Sequence, residues 1–253
     1  MFDTVVLAGS GKPEPLTEQE GVSNKAFIMI HGKPMLSYIL KALQETPSVG
    51  RVVVVGPLKE LEQLCGDDCS FESVPEAGSM LDNLAEGFKA VDQNRLSLIV
   101  TGDIPLINRE TIEDFLSRCA PHDQDFYYPV ISRDTCLRHF PETKRTYVRL
   151  KDGHITGANI ALLSPSWFMA NRARLEMFIS YRKKPLKLLR LLPLSFAFRY
   201  LFKILSVSDL ENHLSRLLGL KARAVFCNCV EAAVDVDKLN DLELVKKTLS
   251  GRS

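Results

Sequence analysis

Two apolar runs of this chain each end in a short turn whose residues could bind phosphate or a metal ion. The run at 5–8 ends in a Gly-Ser-Gly turn at 9–11, and the run at 98–101 ends in Gly-Asp-Ile-Pro at 102–105. A buried strand that opens into a glycine loop offers backbone N–H groups to phosphate, and an aspartate at a strand end can hold a divalent metal beside it. Together with Lys25, which follows the first turn, the two segments predict a nucleoside triphosphate site.

The first half of the chain alternates the patterns of strands and helices. The predicted strands occupy residues 3–7, 52–55, 71–74 and 97–100. The predicted helices occupy residues 34–44, 58–64, 81–91 and 108–119. Such alternation predicts a mostly parallel sheet whose ligand site lies at the carboxyl ends of its strands. Both glycine turns fall at such strand ends, so the two segments are expected to meet in space.

The second half of the chain has a different character. Strands separated by short turns are predicted at 126–131, 147–150, 154–156 and 160–163. The predicted elements after them are helices at 167–181 and 185–205, a helix capped by Ser208 that ends at 218, a strand at 222–226 and a helix at 238–249. We therefore expect a single α/β domain over 1–253 with a basic helical insertion at about 167–220.

The overall composition is that of an ordinary soluble globular protein. The net charge is +1 with 25% charged residues, so whole-chain electrostatics favour no class of partner. The six cysteines include no pair with the C-x₂-C spacing of a zinc site, and no secretory leader is visible. No apolar run reaches the roughly 20 residues that a membrane-spanning helix needs. These observations predict reduced, mostly packed thiols, Cys227 and Cys229 included, in a cytoplasmic protein.

The charge is unevenly distributed along the chain. Residues 172–223 contain 12 Lys and Arg against 3 Asp and Glu, a net charge of +9. Within them, the basic segment 182–190 leads into a series of aromatic and aliphatic residues. Three interpretations are open: packing on the domain or a homodimer contact, contact of residues 182–204 with an anionic membrane, and binding of a phosphorylated acceptor. Nucleic acid is not favoured, because the basic residues alternate with large aliphatic ones.

Several segments occur in an order that resembles a known family. They are Leu7-Ala8-Gly9-Ser10-Gly11, Lys25, Gly32-Lys33-Pro34-Met35-Leu36, Gly102-Asp103-Ile104-Pro105 and Asp235-Val236-Asp237-Lys238-Leu239-Asn240-Asp241-Leu242. This series resembles the motifs of nucleotidyltransferases with a glycosyltransferase-A-like fold, a group that includes sugar-1-phosphate nucleotidyltransferases and the molybdopterin guanylyl- and cytidylyltransferases. The chain departs from the pattern where an arginine usually follows the second glycine, since Lys12 and Pro13 occupy that place. The resemblance implies a three-layer α/β/α, Rossmann-like fold with a mixed, mostly parallel sheet.

The resemblance also implies which residues contact the substrates. Those expected to bind the nucleotide are Leu7, Ala8, Gly9, Ser10, Gly11, Lys25, Gly78, Ser79, Asn83 and Gly102. Those expected at the acceptor site are Gly157 and Asn159. A plain turn at 156–159 and a helix N-cap at Ser79 are the competing structural interpretations.

The catalytic and metal-binding roles fall on a few charged residues. The resemblance implies that Lys25 and Asp103 are catalytic and that Asp103 and Asp237 bind Mg²⁺, with Asp235 behind them. Asp103 could instead cap a helix. Asp241 is expected in the first turn of the last helix, where the helix dipole favours an acid.

We expect from the resemblance a Mg²⁺-dependent transfer of a nucleoside monophosphate from an NTP to a phosphorylated small-molecule acceptor, with release of pyrophosphate. A sugar or polyol phosphate is preferred over molybdopterin as the acceptor, because the helical insertion indicates a different acceptor from that of the compact cofactor enzymes. A glycosyltransferase and a catalytically silent nucleotide-binding or membrane-associated regulator are the alternatives. The expected location is the cytoplasm, with peripheral contact at the membrane left open.

Overall fold

The computed structural model describes residues 1–9, 14–65, 70–182 and 194–251, which form a nine-stranded sheet with helices on both faces. The sheet contains β1 (Phe2–Leu7), β4 (Val49–Gly56), β5 (Glu72–Pro75), β6 (Ser97–Thr101), β7 (Phe126–Ser132), β8 (Val148–Leu150), β9 (Gly153–Gly157), β10 (Ile160–Leu163) and β11 (Ala222–Phe226). A separate ribbon pairs β2 (Met29–Ile30) with β3 (Lys33–Pro34). The helices are α1 (Pro15–Gln19), α2 (Met35–Gln44), α3 (Leu58–Cys65), α4 (Met80–Lys89), α5 (Arg109–Arg118), α6 (Arg133–His139), α7 (Pro165–Arg182), α8 (Leu194–Leu201), α9 (Val207–Leu218) and α10 (Leu239–Ser250).

The sheet has a parallel half and a half that contains the antiparallel pairings. Its order is β5-β4-β1-β6-β10-β7-β9-β8, with β11 paired to β7. The strands β5, β4, β1 and β6 are mutually parallel, whereas β10 runs antiparallel to both β6 and β7. Strand β11 returns parallel to β7, and β8 and β9 form an antiparallel hairpin. The predicted mixed, mostly parallel sheet is confirmed, and each of its antiparallel pairings involves a strand from the second half of the chain.

Alternate residues of the central strands face two different helix layers. Val5 packs in a core cluster with Phe88 of α4 and Phe168 of α7, while its neighbour Val6 packs in a second cluster with Phe115 of α5. Successive side chains of a strand point to opposite faces, so a continuous β-branched run is covered on both sides. The three-layer α/β/α architecture follows from this pattern and is confirmed.

Within the described residues, three helices (α7, α8 and α9) lie between β10 and β11. The predicted helix over 185–205 extends too far, because α8 ends at Leu201 and Lys203 has a φ of +59°; residues 183–193 lie outside the described part. Ser206, not Ser208, caps α9, since the Ser206 hydroxyl accepts the Asp209 N–H at the helix start. No helix in the described ranges is long and apolar enough to cross a membrane. The single-domain organisation over 1–253 stays a prediction.

The prediction of reduced cysteines is wrong for several of them. Cys227 and Cys229 form a disulfide, and Cys65 also takes part in one. The prediction for Cys227 and Cys229 assumed that both lie in a strand and pack in the core. Strand β11 ends at Phe226, so neither cysteine belongs to that strand. Cys119 is a buried thiol as predicted, and burial raises its pKa to about 12.

Candidate functional site

The carboxyl ends of β1 and β6 lie side by side and bring the two predicted segments together. Leu7 pairs with Thr101 in the parallel register, and the Gly102 N–H donates to the Leu7 carbonyl at 2.9 Å. A Cβ on Gly102 would lie 3.0 Å from that carbonyl oxygen and 3.2 Å from the Ala8 Cα, so the close approach requires glycine. Gly102 therefore places Asp103 next to the residues that follow β1.

Lys25 is held against the end of β1 by its neighbour Asn24. The Asn24 side chain is buried, donates through Nδ2 to the Ala8 carbonyl and accepts the Ala26 N–H at 2.9 Å. It thereby caps the short 3₁₀ turn Lys25–Phe27. Asn24 was not predicted as a site residue, although an asparagine directly before a candidate lysine has the side chain typical of such a cap.

Three carboxylates surround the Lys25 ammonium group. Its Nζ lies 2.6 Å from Asp237 Oδ1, 3.3 Å from Glu14 Oε2 and 3.4 Å from Asp103 Oδ2. The main chain fixes this arrangement, because the Val236 N–H donates to the Asp103 carbonyl at 3.0 Å. The structure thus brings together the predicted catalytic residues and the predicted metal ligands.

One hydrogen bond orients the Asp103 carboxylate, and another holds the backbone of Asp237. Asp103 Oδ1 accepts from Thr101 Oγ1 at 2.6 Å, and Asn108, not Asp103, caps the nearby helix α5. Asp241 Oδ2 accepts the Asp237 N–H at 3.3 Å from the first turn of α10. Asp241 lies in the first turn of α10, as predicted. The Asp103 side chain does not cap α5 and instead belongs to the charge cluster formed by Lys25, Asp103, Asp237 and Glu14.

The carboxylates keep Lys25 protonated. Burial alone would lower the pKa of Lys25, but Asp103, Asp237 and Glu14 outweigh burial and raise that pKa above the ordinary lysine value. The residue is therefore a fixed positive charge at neutral pH and is unsuited to accept a proton.

Arg145 pairs with Asp235 at one side of the cluster. Its Nη1 donates to Asp235 Oδ1 at 3.2 Å, its Nη2 donates to the Gly157 carbonyl at 3.2 Å, and its buried Nε has no hydrogen-bond partner among the described residues. Burial raises the pKa of Asp235, the charges of Asp103 and Asp237 raise it further, and the guanidinium opposes them. Arg145 was not predicted as a site residue, because nothing in its local sequence marks it as one.

Two cavities lie on either side of the charge cluster. One, of about 240 Å³, is lined at the strand ends by Leu7, Ala8, Gly9, Lys25, Gly102 and Asp103. The other, of about 870 Å³, has a lining that includes Lys144, Arg145, Thr156, Asp235, Asp237 and Lys247. Since Lys25 on the first wall contacts Asp237 on the second, the cluster lies at the junction between the cavities.

Gly9 contacts another predicted nucleotide residue, Asn83. A Cβ on Gly9 would lie 2.3 Å from Asn83 Nδ2, and the buried Asn83 side chain is fixed because its Oδ1 accepts the Ala77 N–H at 2.5 Å. The predicted residues Ser10 and Gly11 lie outside the described residues. The described part of the predicted phosphate loop therefore borders both the smaller cavity and α4.

Gly78 and Ser79 have local structural roles. Gly78 has a φ of +71°, and the Ser79 hydroxyl accepts the Asp82 N–H at 3.2 Å as the N-cap of α4. Neither residue lines the smaller cavity, although Met80, the next residue, does. Their contact with a nucleotide stays a prediction.

Gly157 lines a separate, apolar cavity, and neither Gly157 nor Asn159 lines the larger cavity. Gly157, at the end of β9, accepts from Arg145 through its carbonyl, and the Asn159 carbonyl accepts the Thr101 N–H at 3.1 Å. The Asn159 Nδ2 is buried and has no partner in the described structure. Thr156 lines the larger cavity in their place, so direct acceptor contact by Gly157 and Asn159 stays a prediction.

The donor set of the cluster fits a magnesium ion. Mg²⁺ takes oxygen ligands and is usually held by one or two carboxylates plus substrate phosphates. Asp103 and Asp237 supply two carboxylates that both approach Lys25 Nζ. The described residues contain no group of three or more His, Cys, Asp or Glu side chains that could hold a metal ion.

Loss of Arg145 is expected to destabilise the fold through Asp235. In Arg145→Met the partly buried carboxylate loses its cation but keeps the repulsion of Asp103 and Asp237. Breaking a fully buried pair costs roughly 3–5 kcal/mol, and because 31% of the Asp235 side chain is exposed we expect about 2 kcal/mol. The free energy of unfolding in urea measures this loss.

A double variant isolates the charge effect. Arg145→Met/Asp235→Asn should recover most of the lost stability, because no unpaired carboxylate is left. Arg138→Met, at an exposed arginine of α6, is the matched control and should change stability by less than about 0.5 kcal/mol. Equal instability of the single and double variants would show that Arg145 acts through its Gly157 contact or its packing.

Comparison with known proteins places the chain among transferases. Residues 4–223 match the family described as the MobA-like NTP transferase domain. The bifunctional protein GlmU of Caldanaerobacter subterraneus subsp. tengcongensis is 30% identical over 115 residues, which are 44% of this chain and 24% of that protein. A 2-C-methyl-D-erythritol 4-phosphate cytidylyltransferase of Clostridium acetobutylicum is 27% identical over 99 residues, 36% of this chain and 43% of that protein. The chain thus spans less than half the length of these two relatives.

Solved structures share the fold. A hypothetical transferase from Thermus thermophilus superposes with a TM-score of 0.84 at 32% identity, over 95% of this chain and 99% of that one. A CMP:2-keto-3-deoxy-manno-octonic acid synthetase complexed with CTP superposes with a TM-score of 0.60 at 15% identity over the full length of both chains, which shows the fold alone. Since the family match covers most of the sequence, the chain belongs to the MobA-like NTP transferase domain family.

Proposed function

We propose that the protein transfers a nucleoside monophosphate from an NTP to a sugar or polyol phosphate, with Mg²⁺ and with release of pyrophosphate. The observation that carries this proposal is that Lys25 lies between two cavities and that the Asp103 and Asp237 carboxylates contact its ammonium group. The smaller cavity, at the ends of β1 and β6, receives the NTP. The larger cavity receives the acceptor, so the two substrates meet at the charge cluster.

The larger cavity has the chemistry of a site for a phosphorylated, hydroxylated acceptor. Its lining is charged with both signs: the cations are Lys144, Arg145, Lys238 and Lys247, and the acids are Glu142, Asp235, Asp237, Asp241 and Glu243. Two of the cations are paired within the cavity, Arg145 with Asp235 and Lys247 with Glu142, which leaves Lys144 and Lys238 for an acceptor phosphate. Its neutral polar lining residues are Thr143, Thr146, Thr156 and Asn240. Cations bind phosphate through charge-assisted hydrogen bonds, and hydroxyl and amide groups hydrogen-bond to hydroxyls. An acceptor with both kinds of group would use both sets of residues.

The names of related proteins support the same class of acceptor. The Clostridium acetobutylicum relative is named for cytidylyl transfer to a methylerythritol phosphate, a polyol phosphate. One structural neighbour of the same fold is described in complex with CTP. These names favour a sugar or polyol phosphate over molybdopterin and make CTP the first nucleotide to test.

The reaction needs charge neutralisation and alignment, not a covalent nucleophile. An acceptor phosphate oxygen attacks the α-phosphorus, the bond from that phosphorus to the bridging oxygen of the β-phosphate breaks, and pyrophosphate leaves. Magnesium held by Asp103 and Asp237 would neutralise charge on the phosphates. Lys25 donates hydrogen bonds to the α-phosphate and stabilises the charge of the transition state. Since the attacking phosphate is already anionic, no residue has to remove a proton from it.

Pyrophosphate release tests the proposal directly. Wild-type protein is incubated with each common NTP and a panel of sugar and polyol phosphates, with Mg²⁺ or with EDTA. We expect release only when NTP, acceptor and Mg²⁺ are all present. Mass spectrometry should then find one product in which the nucleoside monophosphate is joined to the acceptor phosphate.

Other results would redirect or overturn the proposal. Pyrophosphate release with molybdopterin as acceptor, and with none of the sugar or polyol phosphates, would support nucleotidyl transfer but assign a different class of acceptor. Sugar release from a nucleotide sugar without pyrophosphate would identify a glycosyltransferase. No turnover and no NTP binding by calorimetry would overturn the proposed chemistry.

A further inference from the structure

The apolar cavity that Gly157 lines lies between helix α9 and the sheet and has a volume of about 260 Å³. Helix α9 contributes Val207, Leu210 and Leu214, whose i, i+3 and i+7 spacing places them on one face of the helix. Strand β7 contributes the alternate residues at 126, 128 and 130, which lie on one face of the sheet. The cavity is therefore a gap between a helix face and a strand face that would otherwise pack together.

Small residues on the strands beside β7 leave this gap open. Ala222 and Ala224 line it from β11, and Gly157 lines it from β9. A Cβ on Gly157 would overlap the Tyr128 hydroxyl, so a larger residue there would displace the tyrosine ring. Protein interiors are normally filled to high density, so an apolar gap of this size can accept a ligand.

The chemistry of the lining favours hydrocarbon. Its two charged residues are engaged by the main chain, because Glu211 Oε1 accepts the Ala224 N–H at 2.5 Å and Arg223 Nη1 donates to the Ala120 carbonyl at 3.0 Å. An apolar cavity of about 150 Å³ is enough to bind benzene. Sites for whole drug-sized ligands have roughly 300–1,000 Å³. At about 260 Å³ the cavity thus fits the hydrocarbon portion of a larger molecule.

The apolar cavity borders the larger cavity at the end of β9. Thr156 lines both cavities. Arg145, from the lining of the larger cavity, donates to the Gly157 carbonyl at 3.2 Å. The pairing of β9 with β8 ends at Ile155, so β8 does not separate the two cavities at 156 and 157. A molecule that crosses the edge of β9 at Thr156 reaches both cavities.

The exposed part of the apolar lining lies at the same place. Tyr128 and Val148 are 40% and 44% exposed. The Tyr128 hydroxyl lies against Gly157, and Val148 pairs with Ile155 of β9. The cavity therefore opens next to Thr156, on the side of the larger cavity. A protein partner fits this opening poorly, because a stable protein interface buries about 1,600 Å² of surface and the cavity is confined between one helix and the sheet.

We propose that the acceptor carries a hydrocarbon chain in addition to its phosphate, and that the chain binds in the apolar cavity while the phosphate binds in the larger cavity. This inference rests on the proposed transferase function, because it extends the acceptor site of that reaction. The acceptor class is then a sugar or polyol phosphate with an alkyl, acyl or isoprenoid chain. Lys144 and Lys238 contact the phosphate, and the residues of α9 and β7 cover the chain.

A binding experiment that needs no turnover tests the two-part site. Dansylaminoundecanoic acid, whose fluorescence rises in apolar surroundings, is titrated into the protein and displaced by unlabelled compounds. We expect octylglycerol phosphate to displace the probe at a concentration at least about tenfold lower than octylglycerol does. Glycerol phosphate, which has no chain, should displace little of the probe. Octanoylglycerol phosphate and geranylglycerol phosphate, run in parallel, distinguish an acyl and an isoprenoid chain from an alkyl chain.

Variants of each cavity separate the two contributions. Ala222→Leu/Ala224→Leu fills the apolar cavity and should weaken probe binding at least about tenfold. Leu214→Ser, which puts a hydroxyl into the lining without adding volume, should also weaken it and replaces the filled variant if that one does not fold. Ala170→Leu, at an exposed position of α7, is the matched control and should bind like wild type. Lys144→Met should remove most of the advantage of octylglycerol phosphate over octylglycerol.

Steady-state kinetics then connects the apolar cavity with the reaction. Octylglycerol phosphate should have a KM at least about tenfold below that of glycerol phosphate at a similar kcat, since each buried CH₂ strengthens binding up to about fourfold far from the reacting phosphorus. The filled variant should lose this difference and keep the wild-type KM for glycerol phosphate.

The outcomes distinguish this proposal from the proposed transferase function. Wild-type protein that shows no saturable probe binding would overturn the proposal, whatever it does with NTPs. Equal displacement by octylglycerol and octylglycerol phosphate, or a KM that the chain does not lower, would assign the apolar cavity to a separate ligand and also overturn it. Pyrophosphate release with glycerol phosphate would in either case leave the transferase function intact. The expected displacement without turnover of any NTP would overturn the transferase function and keep the two-part site.

Discussion

Asp103→Asn is expected to lower acceptor-dependent pyrophosphate release by about three orders of magnitude. The substitution keeps the shape of the side chain and an oxygen that can accept from Thr101 Oγ1, but it removes the charge that faces Lys25 and the proposed metal ion. The Asp103 carbonyl, which accepts the Val236 N–H, is unaffected, so the loop should keep its position. The measurement is kcat with saturating substrates at several Mg²⁺ concentrations.

The dependence on Mg²⁺ distinguishes a metal ligand from a structural residue. In Asp103→Asn the Mg²⁺ concentration for half-maximal rate should rise, whereas a merely misfolded fraction would lower the rate without moving that concentration. Asp134→Asn, at an exposed aspartate of α6, is the matched control and should behave like wild type. Wild-type activity in Asp103→Asn would exclude Asp103 from the reaction and shift attention to Asp237.

The sheet was predictable where both faces of a strand are covered. The runs at 52–55 and 98–100 are continuous apolar sequences, and such runs are typical of buried parallel strands. The pairing of β10 between β6 and β7 was not predictable, because its four apolar residues fit any buried neighbour and the sequence around them does not specify which one. Local pattern therefore predicts the strands, while long-range packing decides their order.

Residues of the candidate site were predictable where a charged side chain lies close after a predicted strand. Asp103 was selected because it lies in a glycine turn at a strand end, and Lys25 because it follows the loop after the first glycine turn; the structure brings Lys25 Nζ and Asp103 Oδ2 to 3.4 Å. Arg145 was missed because its contact with Asp235 joins residues 90 positions apart through two loops. A loop arginine has no periodic pattern around it, so its partner emerges only when the fold is complete.

For the helical insertion, the composition of its surface was predictable, but the side of α8 that the core covers was not. Its composition indicated an unusual apolar and basic surface, and the structure adds which side of α8 is buried against α9. Helical spacing alone assigns residues to faces but does not say which face the core covers. That decision rests on Phe196 and on the ion pair of Arg199, both of which depend on α9.

Lys25→Met is expected to reduce kcat by about two to three orders of magnitude. Methionine keeps much of the length and apolar volume of the side chain but removes the positive charge that contacts Asp103, Asp237 and Glu14. The proposed reaction then loses the hydrogen bonds to the α-phosphate, which are strongest in the transition state. Lys25→Arg, which keeps the charge with a different geometry, should retain part of the rate. Single-turnover measurements of nucleotidyl transfer separate this loss from weaker substrate binding.

The pH dependence of the stability of Lys25→Met, compared with wild type, tests whether Lys25 is protonated. The carboxylates raise the pKa of Lys25 above its ordinary value of 10.5, so the stabilisation is complete below that pH and is lost only as the pH rises through the higher value of the folded protein. Lys25→Met should therefore be less stable than wild type by a constant amount from neutral pH to about pH 10, of roughly 1–2 kcal/mol for a partly exposed cluster. Lys41→Met, which removes an exposed i,i+4 ion pair with Glu45, should cost no more than about 0.5 kcal/mol and leave kcat unchanged. A stability gap that closes between pH 7 and 9 would mean that Lys25 loses its proton there, and the assignment of a permanent cation at the junction of the two cavities would be wrong.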